Sequence, residues 1–268
     1  MNRKPLLLLL SLAFSFSAYS QETLWTDVDE NTAEQYAGRQ QSGTLPGQYR
    51  LVRLQAAAAR QLQLQAPHEK TVARQKKTVP PVIFPIPLPG GGTRAQALVE
   101  SPILAPQLQA AYPHIKTYRL SDPRTNSSGG RITISNQGIT GLLFTEQGAV
   151  YLSPAGDHSD GLHLVHYVKD LITPVPPTCA VEGTPSSAKT TDPQVLAGDC
   201  QLRTYRLAVA TTGEYTSWAG SQANAVNYIT ATVNAVNAIY ERDANIRFTL
   251  VTSNDLLFTD AATDPYAT

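Results

Sequence analysis

The chain has 268 residues, and Lys plus Arg and Asp plus Glu both number 21, so its formal net charge is zero. A neutral chain without a basic patch has no electrostatic reason to take nucleic acid or an anionic membrane as a partner. Charged residues make up 16%, against roughly a quarter in ordinary globular domains, while 19 Pro and 17 Gly imply many turns and connectors.

The first twenty residues read as an export signal. Arg3 and Lys4 precede an apolar run from Leu6 to about Phe16, which closes on Ala18-Tyr19-Ser20, small residues at the spacing of a cleavage site. That run is shorter than the roughly 20 apolar residues a spanning helix needs. The mature chain is therefore expected to begin near Gln21 and to be secreted, with no membrane span once the signal is removed.

From Glu22 the pattern is mixed until "QYRLVRL" (48–54), where Tyr49, Leu51 and Arg53 alternate with Arg50, Val52 and Leu54 as in a strand. "QAAAARQLQLQAP" has helix-forming composition and is closed by Pro67. Lys70 to Lys77 reads as a basic, flexible stretch. In "VPPVIFPIPLPGGG" (79–92) the prolines forbid a central strand but allow an extended edge strand ending in a glycine turn.

Period-2 signals dominate from 93 to 178. "RAQALVES" predicts a strand and "APQLQAAYP" a short helix stopped by Pro113. "HIKTYRLSD", "GRITISNQGITGLLFT", "GAVYLSP" and "LHLVHYVKDL" predict further strands, with Gly, Asn and Asp at the turns. Strands joined by short turns imply antiparallel meanders, so residues 21–178 are expected to form a β-rich α+β domain. The run from 173 to 200 is rich in Pro, Ser, Thr and Gly without periodicity, which describes a linker.

After the linker Tyr205, Leu207 and Val209 alternate with Thr204, Arg206 and Ala208, and the run turns through Thr212-Gly213. Val226, Ile229, Val233, Val236 and Tyr240 then recur at spacings of three and four, one apolar stripe on a helix from about Ser221 to Arg242. "NIRFTLV" (245–251) predicts a second strand, and strand, helix, strand implies a βαβ unit with parallel strands. Two strands and a helix cannot bury a core alone, so the remainder of that unit is expected downstream of Thr268.

Candidate chemistry is sparse. His158, His163 and His166 lie within nine residues, and imidazole is a common metal ligand. On a strand, however, side chains three apart point to opposite faces, so His163 and His166 cannot converge if "LHLVHY" is extended. The sequence has no H-E-x-x-H, no G-x-S-x-G and no phosphate loop; "LPGGGTR" is a turn. Cys179 sits in the Pro-stiffened "PVPPTCAVE", where its sulfur could serve as a metal-directed thiolate. Against this stands a disulfide, either Cys179–Cys200 closing the linker or another bridge to a cysteine outside this sequence, since export permits disulfides. Asn126-Ser127-Ser128 matches a glycosylation sequon but reads first as a polar turn.

Several long stretches resemble a known family. "YRLVRL…LQAP", "IPLPGGGTRAQALVESPILAPQLQAAYPHIKTY", "GAVYLSP" and "LHLVHYVKD" are similar to the propeptide of secreted bacterial zinc metalloproteases of the reprolysin (adamalysin-like) type. "CQLRTYRLAVATTGEYTSW", "VNAVNAIYERDANIRFTLV" and "FTDAATDPY" resemble the opening strand, first helix and second strand of the catalytic domain of that family. The resemblance implies a signal peptide at 1–20, a β-rich propeptide domain at 21–178, a linker at 179–200 and, at 201–268, the N-terminal part of an α/β metzincin catalytic domain. It further implies zinc as cofactor, protein or peptide substrates and an H-E-x-x-H-x-x-G-x-x-H motif beyond Thr268, so that no catalytic residue falls within this chain. Pro176-Pro177-Thr178-Cys179-Ala180-Val181 has the shape of the segment through which such propeptides place a cysteine on the zinc. The other functional class to weigh is a stand-alone secreted inhibitory or adhesive module that acts in trans.

Overall fold

The computed structural model describes residues 23–39, 45–75, 79–155, 160–171 and 201–266. Its main body is one antiparallel sheet of nine strands: β1 (Trp25–Asp27), β2 (Arg50–Leu54), β3 (Val82–Pro87), β4 (Thr93–Glu100), β5 (Lys116–Ser121), β6 (Ser128–Ser135), β7 (Gly138–Thr145), β8 (Gly148–Pro154) and β9 (Leu162–Tyr167). The spatial order is β1-β2-β9-β8-β7-β6-β5-β4-β3, so β3 to β9 form a meander in which each strand pairs with the next. This is the antiparallel architecture that the short turns imply. The proline-bearing β3 occupies an edge, where Pro85 and Pro87 need not donate to a further strand.

The sheet curls until its two edges meet as a near-barrel. Trp25 Nε1 on β1 donates to the Pro85 carbonyl on β3 at 2.7 Å. Arg50 on β2 reaches across to the carbonyls of Leu88 and Gly92 at 3.0 and 2.8 Å, and is held from behind by Asp27. Inside sit Val52, Phe84, Ile86, Leu98, Tyr118, Leu120, Ile132, Ile139, Leu152 and Val165, one cluster drawn from β2 through β9. The period-2 rule fixes what the outside shows. On β6, Ile132 and Ile134 belong to the interior cluster, so Arg131 and Thr133 point outward.

Four helices accompany this body. Asp29 caps α1 (Glu30–Arg39) by accepting from the Thr32 amide at 2.8 Å, and Ala33 and Tyr36 pack on Leu51 and Leu162. Helix α2 (Ala56–Gln65) sets Ala59 against the barrel core. Helix α3 (Glu69–Gln75) corrects the expectation of a flexible stretch over Lys70–Lys77: its first turn is fixed by backbone bonds from Thr71 and Val72 to the His68 carbonyl. A short α4 (Pro106–Ala111) stops ahead of Pro113, as its composition predicts.

The C-terminal unit consists of β10 (Arg203–Leu207), α5 (Gly213–Ala219), α6 (Gln222–Ala244) and β11 (Ile246–Leu250). β10 and β11 pair in parallel, Arg203 with Ile246 through Leu207 with Leu250, as the strand-helix-strand pattern requires. Thr212-Gly213 is more than a turn: the Thr212 hydroxyl caps α5 through the Tyr215 amide at 3.2 Å. Gly220 ends that helix in the left-handed region at φ 78°. Ser221 caps α6 through the Asn224 amide at 3.1 Å, and Asn245, at φ 52°, closes it.

The C-terminal unit shares a core with the β-rich body. Val226, Ile229, Val233, Leu250 and Leu257 cluster with Ile103, Leu104, Leu108, Tyr112 and Ile115. The sequence pattern places the missing cover downstream; for the apolar stripe of α6, the structure supplies it from upstream. Among the described residues, no helix is long and apolar enough to cross a membrane.

Candidate functional site

The one built polar site among the described residues lies at the seam between the near-barrel and α6. Its centre is Arg131, 1% exposed on the outer face of β6. Every nitrogen of its guanidinium is used. Nε donates to Asn234 Oδ1 at 2.6 Å, Nη1 to both carboxylate oxygens of Glu241 at 2.9 and 3.1 Å, and Nη2 to the carbonyl and hydroxyl of Ser101 at 2.7 and 3.1 Å. Glu241 is shared, because Arg247 Nε on β11 also donates to it. Arg247 Nη1 in turn holds Glu69, the first residue of α3, at 3.1 and 2.9 Å, and Ser101 Oγ donates to Glu69 at 2.7 Å.

Two cations thus meet two anions in a closed loop, with Glu69 and Arg131 from the β-rich part and Glu241 and Arg247 from the C-terminal unit. Desolvation pulls the Arg131 guanidinium down to about 10, with Glu241 and Glu69 opposing that fall and Arg247 adding to it; the group stays charged at neutral pH. Burial works to raise the Glu69 carboxyl, but the charge of Arg247 and the Ser101 hydroxyl outweigh it and hold the group below its ordinary range. For Arg247 burial is likewise outweighed, and Glu241 and Glu69 raise it.

The seam continues along α6. Asn234 Nδ2 donates to Thr133 Oγ1 at 3.1 Å and Asn227 Nδ2 to Gln137 Oε1. Arg242 stacks on Phe144 of β7, 3.9 Å from the ring centre. Asn227, Asn234 and Glu241 recur every seven residues, with Ala231 and Ala238 between them, all on one face of the helix. At about 100° per residue this face lies roughly two-fifths of a turn from the apolar stripe. Helix α6 therefore buries two faces, one apolar and one polar. Sequence reasoning finds the first and has no reading of the second. The available signal is Arg131, the one charge in the strand pattern "GGRITIS", on the same face as Thr133 and Ser135.

The histidines behave as the strand geometry predicts. His163 points into the barrel, where Nε2 accepts from the Ile139 amide at 2.9 Å, Nδ1 meets the Gly161 carbonyl at 2.8 Å and the ring packs edge-on to Trp25. His166 takes the opposite face, against Tyr151. His158, Cys179 and Cys200 lie outside the described residues. Among those described, no three His, Cys, Asp or Glu side chains are grouped so as to hold a metal ion. The described residues do not fit a zinc site. Asn126 stands exposed in the turn closed by Asp122 and Ser127, at φ 56°, which agrees with the polar-turn reading.

No curated protein and no solved structure matches this chain. Residues 201–268 do match a family model, Metallo-peptidase family M12B Reprolysin-like. The match spans the parallel β10–α6–β11 unit that carries Glu241 and Arg247, so this C-terminal region is similar to a zinc-dependent metallopeptidase family.

Proposed function

We propose that the chain is the N-terminal portion of a secreted zinc metalloendopeptidase precursor, in which the β-rich domain is the propeptide and residues 201–268 begin the catalytic domain. The observation that carries this is the reprolysin-like match over residues whose fold is a parallel strand-helix-strand unit docked on a separate near-barrel. Protein or peptide substrates follow from the family, and zinc would be held by residues other than those described here. The signal at 1–20 would direct export. The β-rich domain would serve the catalytic domain as folding aid and inhibitor.

Cys179 and Cys200 have two assignments: a disulfide with each other, or a Cys179 thiolate directed at the zinc. Thiol titration of the unfolded, unreduced chain separates them, with no free thiol for the first and two for the second. The reading as a whole is tested by sequencing the source DNA through codon 268. An in-frame H-E-x-x-H-x-x-G-x-x-H soon after is the expected result, together with zinc-dependent casein cleavage by the extended product and none by 1–268. Stoichiometric zinc binding and casein cleavage by 1–268 alone would refute it. A stop at that codon would favour the stand-alone module that acts in trans.

A further inference from the structure

The outer face of β4 and β5 carries a cleft that the seam does not use. Leu98 and Leu120 belong to the interior cluster, so their strand neighbours Ala97, Val99, Arg119 and Ser121 point outward. Cross-strand pairing sets Ala97 beside Ser121 and Val99 beside Arg119. These four floor a cleft of about 200 Å³, walled by Val72 of α3, Pro80 and the turn that follows β5. Sites for drug-sized ligands measure roughly 300–1,000 Å³, so this one takes a single apolar group of side-chain size.

Arg119 is half-buried and makes no hydrogen bond or ion pair with any described residue. Its cross-strand neighbour on β6 is Arg131, and like charges set directly opposite each other are unfavourable. Arg131 is matched by Glu241, whereas Arg119 has no such anion. The other charge on the lining, Asp122, is already committed. Its Oδ1 accepts from the Arg124 and Thr125 amides at 2.8 and 3.1 Å, and its Oδ2 lies 3.6 Å from Arg94 Nη2. The cleft therefore presents one unmatched cation beside an apolar floor. Charge complementarity selects a carboxylate, which a guanidinium holds through two parallel hydrogen bonds. At the rim, the carboxamide of the exposed Asn126 makes no hydrogen bond to a described residue, and it can take the N–H or C=O of a peptide group.

We infer that this cleft binds the C-terminal residue of a peptide that ends in an apolar side chain. Arg119 takes the terminal carboxylate, Asn126 the last peptide group, and Val72, Ala97 and Val99 the side chain. The site does not rest on the protease reading, and none of these residues belongs to the seam.

The test is a titration of the 268-residue chain with N-acetyl-leucine, followed through amide NMR signals, beside three control probes. A ligand this small is expected to saturate its site at about 1 mM. The amides that shift should be those of Val72, Ala97 to Val99 and Arg119 to Ser121. N-acetyl-leucinamide lacks the charge and acetate lacks the side chain, and each should bind weaker by about tenfold or more. Isocaproate lacks the peptide group and should bind several-fold weaker. Arg119→Gln should lose about tenfold in affinity for N-acetyl-leucine, with its melting temperature unchanged because the residue has no described partner to lose. No saturable shift at these amides, equal binding of the amide or of acetate, or wild-type affinity in Arg119→Gln would each overturn the inference. Isocaproate binding as tightly as N-acetyl-leucine would give the cleft to free acids and overturn the peptide assignment.

Discussion

Replacing Arg131 with Met keeps much of the side-chain volume and removes the charge at the centre of the seam. Three groups then lose their donor: Asn234 Oδ1, the Ser101 carbonyl and the inward side of Glu241. Glu241 keeps Arg247, so the variant does not leave a wholly unpaired anion. Removing one partner of a buried ion pair costs about 3–5 kcal/mol, and the remaining Arg247 contact places the expectation toward about 3. For a chain of this size each kcal/mol is worth roughly 2–4 °C in melting temperature, so a drop of about 6–12 °C is expected, read alongside the urea midpoint. The double variant Arg131→Met with Glu241→Leu removes cation and anion together. It should cost less than the sum of the two single changes, by about 1–3 kcal/mol. An Arg131→Met chain within about 1 kcal/mol of the wild type, or a strictly additive double, would refute the reasoning.

Acid should weaken the seam through Glu69. Its folded pKa lies below the unfolded value, so its stabilisation is present above the ordinary carboxylate range and is lost as pH falls through the lowered value. Urea midpoints between pH 7 and pH 3 should therefore fall more steeply for the wild type than for Glu69→Gln. Gly213→Ala should destabilise by about 1–3 kcal/mol, because a Cβ there would lie 2.1 Å from the Ala261 nitrogen and 2.3 Å from the Asp260 carbonyl carbon. Gly38→Ala, a helical position with nothing within 4 Å of the new Cβ, should instead stabilise by up to about 1 kcal/mol, and paired thermal melts check both. If residues 1–20 direct export as proposed, N-terminal sequencing of the mature product should begin near Gln21.

The elements that the sequence makes legible are those whose signal is local. Alternation marks β4 through β9, prolines mark β3 as an edge, and Ser221 with the apolar stripe marks α6. The opposite facing of His163 and His166 follows from the pleat alone. The seam was hidden for a different reason. Asn227, Asn234 and Glu241 have the composition of a wetted helix face, and it is Arg131, Thr133 and Gln137, between 90 and 110 residues upstream of their partners, that make that face an interior. The helix at Glu69–Gln75 was masked in the same way. Its basic composition suggests solvent, yet Glu69 is pinned by Arg247, 178 positions away.

If the β-rich domain is the propeptide proposed above, the chemistry of the seam bears on how it would hold its partner. A buried ion pair adds little net stability compared with apolar packing of the same volume, while breaking it is costly, so such a loop favours one register over others. Asn227, Asn234 and Glu241 can exchange their seam partners for water if the β-rich domain leaves. The polar face of α6 would then be exposed without becoming an adhesive patch. The apolar face retains Leu250 and Leu257 from its own unit as neighbours of Val226, Ile229 and Val233. Release would expose apolar surface on both sides of the shared core, around Ile103, Leu108 and Ile115 on one and Val226, Ile229 and Val233 on the other. An interface that is specific in register and wettable along the polar face of α6 is compatible with the role proposed above for the β-rich domain.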